Sequence, residues 1–182
     1  MDTAVTSITW QLQALQDEAE RTVWGSQNNG FRLLDGLDKK CAEIANLVSE
    51  FHPIQKRVVG FDKPANIYLV TELYAAGGHR NLLQQMVESL PNERHIALFT
   101  RPHTPDSFSF QHLKDLGVFV VAPNKISDLL ARVLWLREKL CSLAAHRIFY
   151  LHHPDDAVAS VSLLSCTSNL PCHRYFVRHS DI

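Results

Sequence analysis

The sequence lacks any run approaching the roughly 20 consecutive apolar residues that a membrane span requires. Its first residues, "MDTAVTSITW", carry neither a basic cluster nor an apolar core. The expectation is a chain without a secretory leader, working in the cytoplasm. It also lacks a charge of one sign. Against 18 Lys and Arg stand 19 Asp and Glu, scattered rather than blocked, for a net charge of -1. No global field therefore draws the chain to nucleic acid or an anionic membrane. Cysteine is sparse: Cys41, Cys141, Cys166 and Cys172, with no CxxC pair and no zinc-ligand spacing. They read as buried reduced thiols, although Cys166 and Cys172 flank a turn that could bring them together. No internal repeat and no low-complexity tract is visible.

What is present is enough apolar material for a core. Of 182 residues, 46% are hydrophobic, which fits one domain plus an appendage. Ten histidines are many for this length, and where they fall becomes the main question.

From Ile8 to about Phe51 the apolar spacing is helical. Trp10, Leu12, Leu15, Ala19 and Val23 approximate one face, and Leu33, Leu34, Leu37, Cys41, Ile44, Leu47 and Val48 a second. "GSQNNG" (25–30) breaks the two. This predicts an N-terminal helical hairpin over 1–58, including the linker that starts at "HPIQKR". The hairpin is expected to pack on the domain or on another chain, as a surface for a homo-oligomer or a partner domain. Trp24 and Trp135 read as packing anchors.

From Asn66 short apolar runs alternate with amphipathic helices. "NIYLV", "HIALFT", "VFVVA", "RIFYLH" and "HRYFVRH" read as strands. "RNLLQQMVESL", "SFSFQHLKDLG", "KISDLLARVLWLREKLCSLA" and "DDAVASVSLLSC" read as helices, with Ser107 a cap and Gly117 a stop. That order predicts an α/β, Rossmann-like parallel sheet of about five strands with helices on both faces, over 59–182.

Ligands of open parallel sheets collect beyond the carboxyl ends of the strands. There the sequence places Glu72, Gly77, Gly78 and His79 after the first strand, and Thr100, Arg101 and His103 after the second. Pro123, Asn124 and Lys125 follow the third, His152, His153, Asp155 and Asp156 the fourth, and His179, Ser180 and Asp181 the fifth. Half of the histidines lie at these ends. In "ELYAAGGHRNLLQQM" the glycines clear the turn, and exposed amides at a helix start attract phosphate. The positive helix end favours a neutral imidazole at His79, which suits a general base. The alternative is a plain strand-to-helix turn. Asp155 and Asp156, next to Pro154, fit a helix start equally well. Read as chemistry, "HHPDD" and "RHSD" offer either a polar cleft floor for a hydroxylated ligand or mixed His and Asp ligands for a divalent metal.

"NIYLVTELYAAGGHRNLLQQMVESL", with "RIFYLHHPDDAVASVSLL" and "HRYFVRHSD", resembles the N-terminal, acceptor-side domain of bacterial GT-B glycosyltransferases, which carry an HxDD-like and then an HADH-like segment. The likeness covers about residues 66 to 182. It implies one Rossmann-like half of a two-domain enzyme that needs no metal and uses a nucleotide sugar as donor substrate. His79 would sit at the transfer point, and Gly77 and Gly78 would leave room for donor phosphates. Glu72, His152, Asp155, His179 and Asp181 would line the side of the hydroxylated acceptor. The chain departs where an HADH-like segment places a second histidine: Ile182 stands there. With no second domain in 182 residues, the expectation is an excised or truncated half, inactive without a donor-binding partner. Two rivals are a small metal-dependent hydrolase or phosphoesterase built on His152, His153, Asp155, Asp156, His179 and Asp181, and a non-catalytic assembly module.

Overall fold

The computed structural model describes residues 3–25, 34–54, 64–73, 78–102, 108–170 and 172–177. The protein is α/β, and its chain gathers into two compact units. One runs through 58–125, 143–153 and 171–182. The other is assembled from 1–57, 126–142 and 154–170.

The first unit is built on a five-stranded, all-parallel, Rossmann-like sheet in the order β3-β2-β1-β4-β5. The strands are β1 (Ala65–Val70), β2 (Arg94–Phe99), β3 (Phe119–Val121), β4 (Ala145–Leu151) and β5 (His173–Phe176). β1 is central, and all six of its residues are buried, as expected of a parallel strand with no alternation in its sequence. Its register sets Ile67 beside Ile96 on one side and Ile148 on the other. Helix α3 (Gly78–Ser89) buries Leu83 and Val87, and α4 (Phe108–Asp115) buries Phe110 and Leu113. Both pack on the face carrying Tyr68, Val70, Ala97, Phe99 and Leu151. Full burial of each such side chain contributes about 1.5–3 kcal/mol. α4 stops where Gly117 takes φ 77°, the left-handed conformation that glycine adopts without strain.

The second unit is helical: α1 (Thr3–Gly25), α2 (Leu34–Phe51), α5 (Leu129–Ser142) and α6 (Ala157–Cys166). The two N-terminal helices are those the spacing predicts; residues 26–33 between them lie outside the described residues. On α1 the buried stripe is Ile8, Leu12, Leu15 and Ala19. Trp10, read from sequence as part of that face, is instead 75% exposed, because it lies two residues from Leu12 and so on the far side of the helix. α2 buries Leu37, Cys41, Ile44, Ala45 and Val48. α5 begins at Leu129 rather than Lys125, since the Asp128 side chain accepts from the Ala131 amide at 2.7 Å and starts the helix there. α6 is rich in Ala and Ser and buried on nearly every side. Its small residues let neighbours approach, with Ser49 Oγ donating to the Ser165 carbonyl (2.9 Å) and Ser162 Oγ to that of Val133 (3.3 Å).

No helix among the described residues is long and apolar enough to cross a membrane.

Candidate functional site

From β1 the chain steps outward to β2 and β3, then returns to place β4 against the other side of β1. The winding direction therefore reverses between β1 and β4. In open parallel sheets the loops leave such a point in opposite directions and open a crevice at the carboxyl ends of the two strands.

The residues at this point are Thr71 and Glu72 after β1, and His152 and His153 after β4. The Thr71 side chain is fully buried, and its Oγ1 accepts the His153 backbone N–H at 2.9 Å. That bond pins the end of β4 to the end of β1. His153 then lies 5.6 Å, ring to ring, from His79 in the first turn of α3, with the planes tilted by 31°. Both rings are partly buried. Along the same edge of the sheet, Arg101 Nη1 donates to Glu72 Oε1 at 3.0 Å, linking the ends of β2 and β1. Thr100, also fully buried, donates its amide to the Val70 carbonyl at 2.9 Å. Two imidazoles, one carboxylate and one guanidinium thus share the ends of three adjacent strands. An imidazole ring offers both a hydrogen-bond donor and an acceptor, so the pair can bind a hydroxyl group.

The sequence reading distributes its candidates more widely than this. Gly78 and His79 open α3 as expected. His152 is at the end of β4, but its ring turns edge-on to Tyr150 at 6.0 Å, and His153 is the residue that meets His79. Strand alternation carries that signal. Residue 153 has the parity of Phe149 and Leu151, which face the α3 side, and residue 152 that of Tyr150. Gly77, His103, His179 and Asp181 lie outside the described residues.

Asp155 and Asp156 belong to the helical unit and are each 2% exposed. Asp156 caps α6, its Oδ1 accepting the Ala159 amide at 2.9 Å. The Asp155 carboxylate accepts from Trp24 Nε1 (3.0 Å) and its carbonyl from Gln16 Nε2 (2.8 Å), while Gln16 Oε1 takes the Ala157 amide (3.1 Å). Trp24 is 73% exposed and serves this bond rather than burying its ring. Among the described residues no three His, Cys, Asp or Glu side chains converge as a metal ion would need. Among the described residues no disulfide joins the cysteines, and Cys41, Cys141 and Cys166 are buried.

The chain matches no protein-family model, no curated protein and no solved structure.

Proposed function

We propose that this chain supplies the acceptor-side Rossmann-like domain of a nucleotide-sugar-dependent glycosyltransferase of the two-domain GT-B type. The observation that supports this reading is the His79–His153 pair, 5.6 Å apart where the sheet reverses its winding. It combines with the resemblance of "AAGGHR" and "HHPDD" to the acceptor-side segments of that class. In this reading His79 takes the proton from an acceptor hydroxyl as its oxygen bonds to the anomeric carbon of the donor sugar. The nucleoside diphosphate leaves with the electrons of the broken bond. His153 orients the hydroxyl, and the Glu72 carboxylate, held by Arg101, accepts from a neighbouring hydroxyl of the acceptor. The donor is held mainly by a second domain, so the chain alone carries little transferase activity.

Saturation-transfer NMR on the chain tests this, with a panel of mono- and disaccharides as acceptor probes and UDP-glucose and GDP-mannose as donor probes. Weak saccharide binding that disappears in His79→Ala and His153→Ala, with still weaker donor binding, is the expected result. Tight nucleotide-sugar binding by the chain alone, or saccharide binding indifferent to both substitutions, would contradict it.

A further inference from the structure

The last strand in the chain, β5, stands at an edge of the sheet. β5 follows β4 at the end of the strand order, so among the described residues nothing pairs with its outer edge. All four of its residues are exposed, including Tyr175 at 43% and Phe176 at 79%. Strands of parallel sheets are ordinarily covered on both faces, and β5 has an aromatic residue for each face.

Tyr175 ends a column of rings. His95, Tyr68, Phe149 and Tyr175, from β2, β1, β4 and β5, stack at spacings of 5.9, 5.3 and 5.1 Å, with interplanar angles of 19°, 16° and 18°. On the opposite face Phe176 stands edge-on to Tyr150 at 4.4 Å. The backbone alternates to match. Val177 donates its amide to the Tyr150 carbonyl at 3.2 Å, so Tyr175 and Val177 bond inward to β4. The N–H and C=O groups of Arg174 and Phe176 therefore point outward.

We infer that β5 pairs antiparallel with β5 of a second copy of this chain, about a two-fold axis through Tyr175. A two-fold axis perpendicular to the sheet keeps each face, so a residue can only oppose one on its own face. With Tyr175 on the axis, Arg174 of each copy exchanges both backbone hydrogen bonds with Phe176 of the other. Tyr175 meets its counterpart at a non-hydrogen-bonded position, where side chains come closest. The ring column then continues from one copy into the next. On the other face each guanidinium falls beside a Phe176 ring, a favourable cation–π pairing. Centring on Arg174 would oppose two like charges, and centring on Phe176 would break the ring column. The strand is short, so the dimer is concentration-dependent rather than obligate.

Sedimentation velocity of the full chain from micromolar to millimolar concentration tests this, beside two variants. The weight-average mass should rise from 20.6 kDa toward twice that value. Phe176→Pro removes an outward N–H that no neighbour among the described residues uses. It should leave the circular dichroism unchanged and weaken association at least about tenfold. Tyr175→Cys should give a disulfide-linked dimer under mild oxidation that reductant dissolves, with none from the wild type. This cross-link decides the matter if Phe176→Pro fails to fold. A wild type that stays monomeric throughout, a dimer that survives Phe176→Pro, or a Tyr175→Cys variant that does not cross-link would overturn the inference.

Discussion

At Tyr68 a phenol with no exposed surface needs a partner, and it finds one in His95 Nδ1 at 2.9 Å. His95 Nε2 lies 3.0 Å from the Leu90 carbonyl, which can only accept. That fixes the tautomer: Nε2 carries the proton, Nδ1 accepts, and Tyr68 donates. Burial, reinforced by the Glu93 carboxylate and opposed by Arg147, pushes the phenol above its ordinary value. A phenol held neutral in the fold stabilises it fully below about pH 10, and that contribution is lost as pH rises further, because the unfolded chain ionises first. Burial, then Asp38, likewise pushes the Cys41 thiol from 9.0 up to about 11, so its contribution is lost across that interval. Stability should therefore decline from about pH 9 upward. Tyr68→Phe should cost about 1–3 kcal/mol in urea unfolding at pH 7, since His95 Nδ1 loses its donor, and should make the alkaline decline shallower. An unchanged midpoint at pH 7 would show that this bond is not formed.

Elements depend on how their ends are satisfied. The amino-terminal edge of the sheet is stapled by side chains. Arg147 Nη1 and Asn66 Nδ2 converge on Glu93 Oε2 at 2.6 and 2.7 Å, and the arginine bond holds that carboxyl below the usual carboxylate range. α2 ends on a buried cation, Arg137, which donates to the Val48 and His52 carbonyls at 3.4 and 3.0 Å and so meets the negative end of the helix dipole. Burial draws that guanidinium below its ordinary value. α6 begins on Asp156, and the cap is itself buried. Asp156→Ala should cost about 1–2 kcal/mol in thermal or urea unfolding, because the Ala159 amide is left without an acceptor away from water. Asp156→Asn should restore most of that loss. Equal losses in both variants would mean that charge at the helix end, and not the hydrogen bond, carries the effect.

On the scale of the whole chain, the strand and helix order was legible because the central β runs are apolar without alternation and most helices keep an amphipathic spacing. The bonds that tie the elements together were not. Trp24 reaches Asp155 and Tyr68 reaches His95 across gaps no periodicity records. The Trp10 position shows the limit of approximate spacing: two residues along a helix turn a side chain through about 200°. At the candidate site, "GGHR" and "HHPDD" pointed to the edge where the rings of His79 and His153 meet. Choosing His153 over His152 required knowing which face α3 covers. Two imidazoles meet at the carboxyl edge of β1 and β4, where the proposed function is sited. The most direct test is a nuclear Overhauser spectrum of the full chain with assigned histidine rings. It should contain a cross-peak between the imidazole carbon-bound protons of His79 and His153, absent in His79→Ala. Two assigned rings with no cross-peak between them would contradict the site on which the proposed function rests.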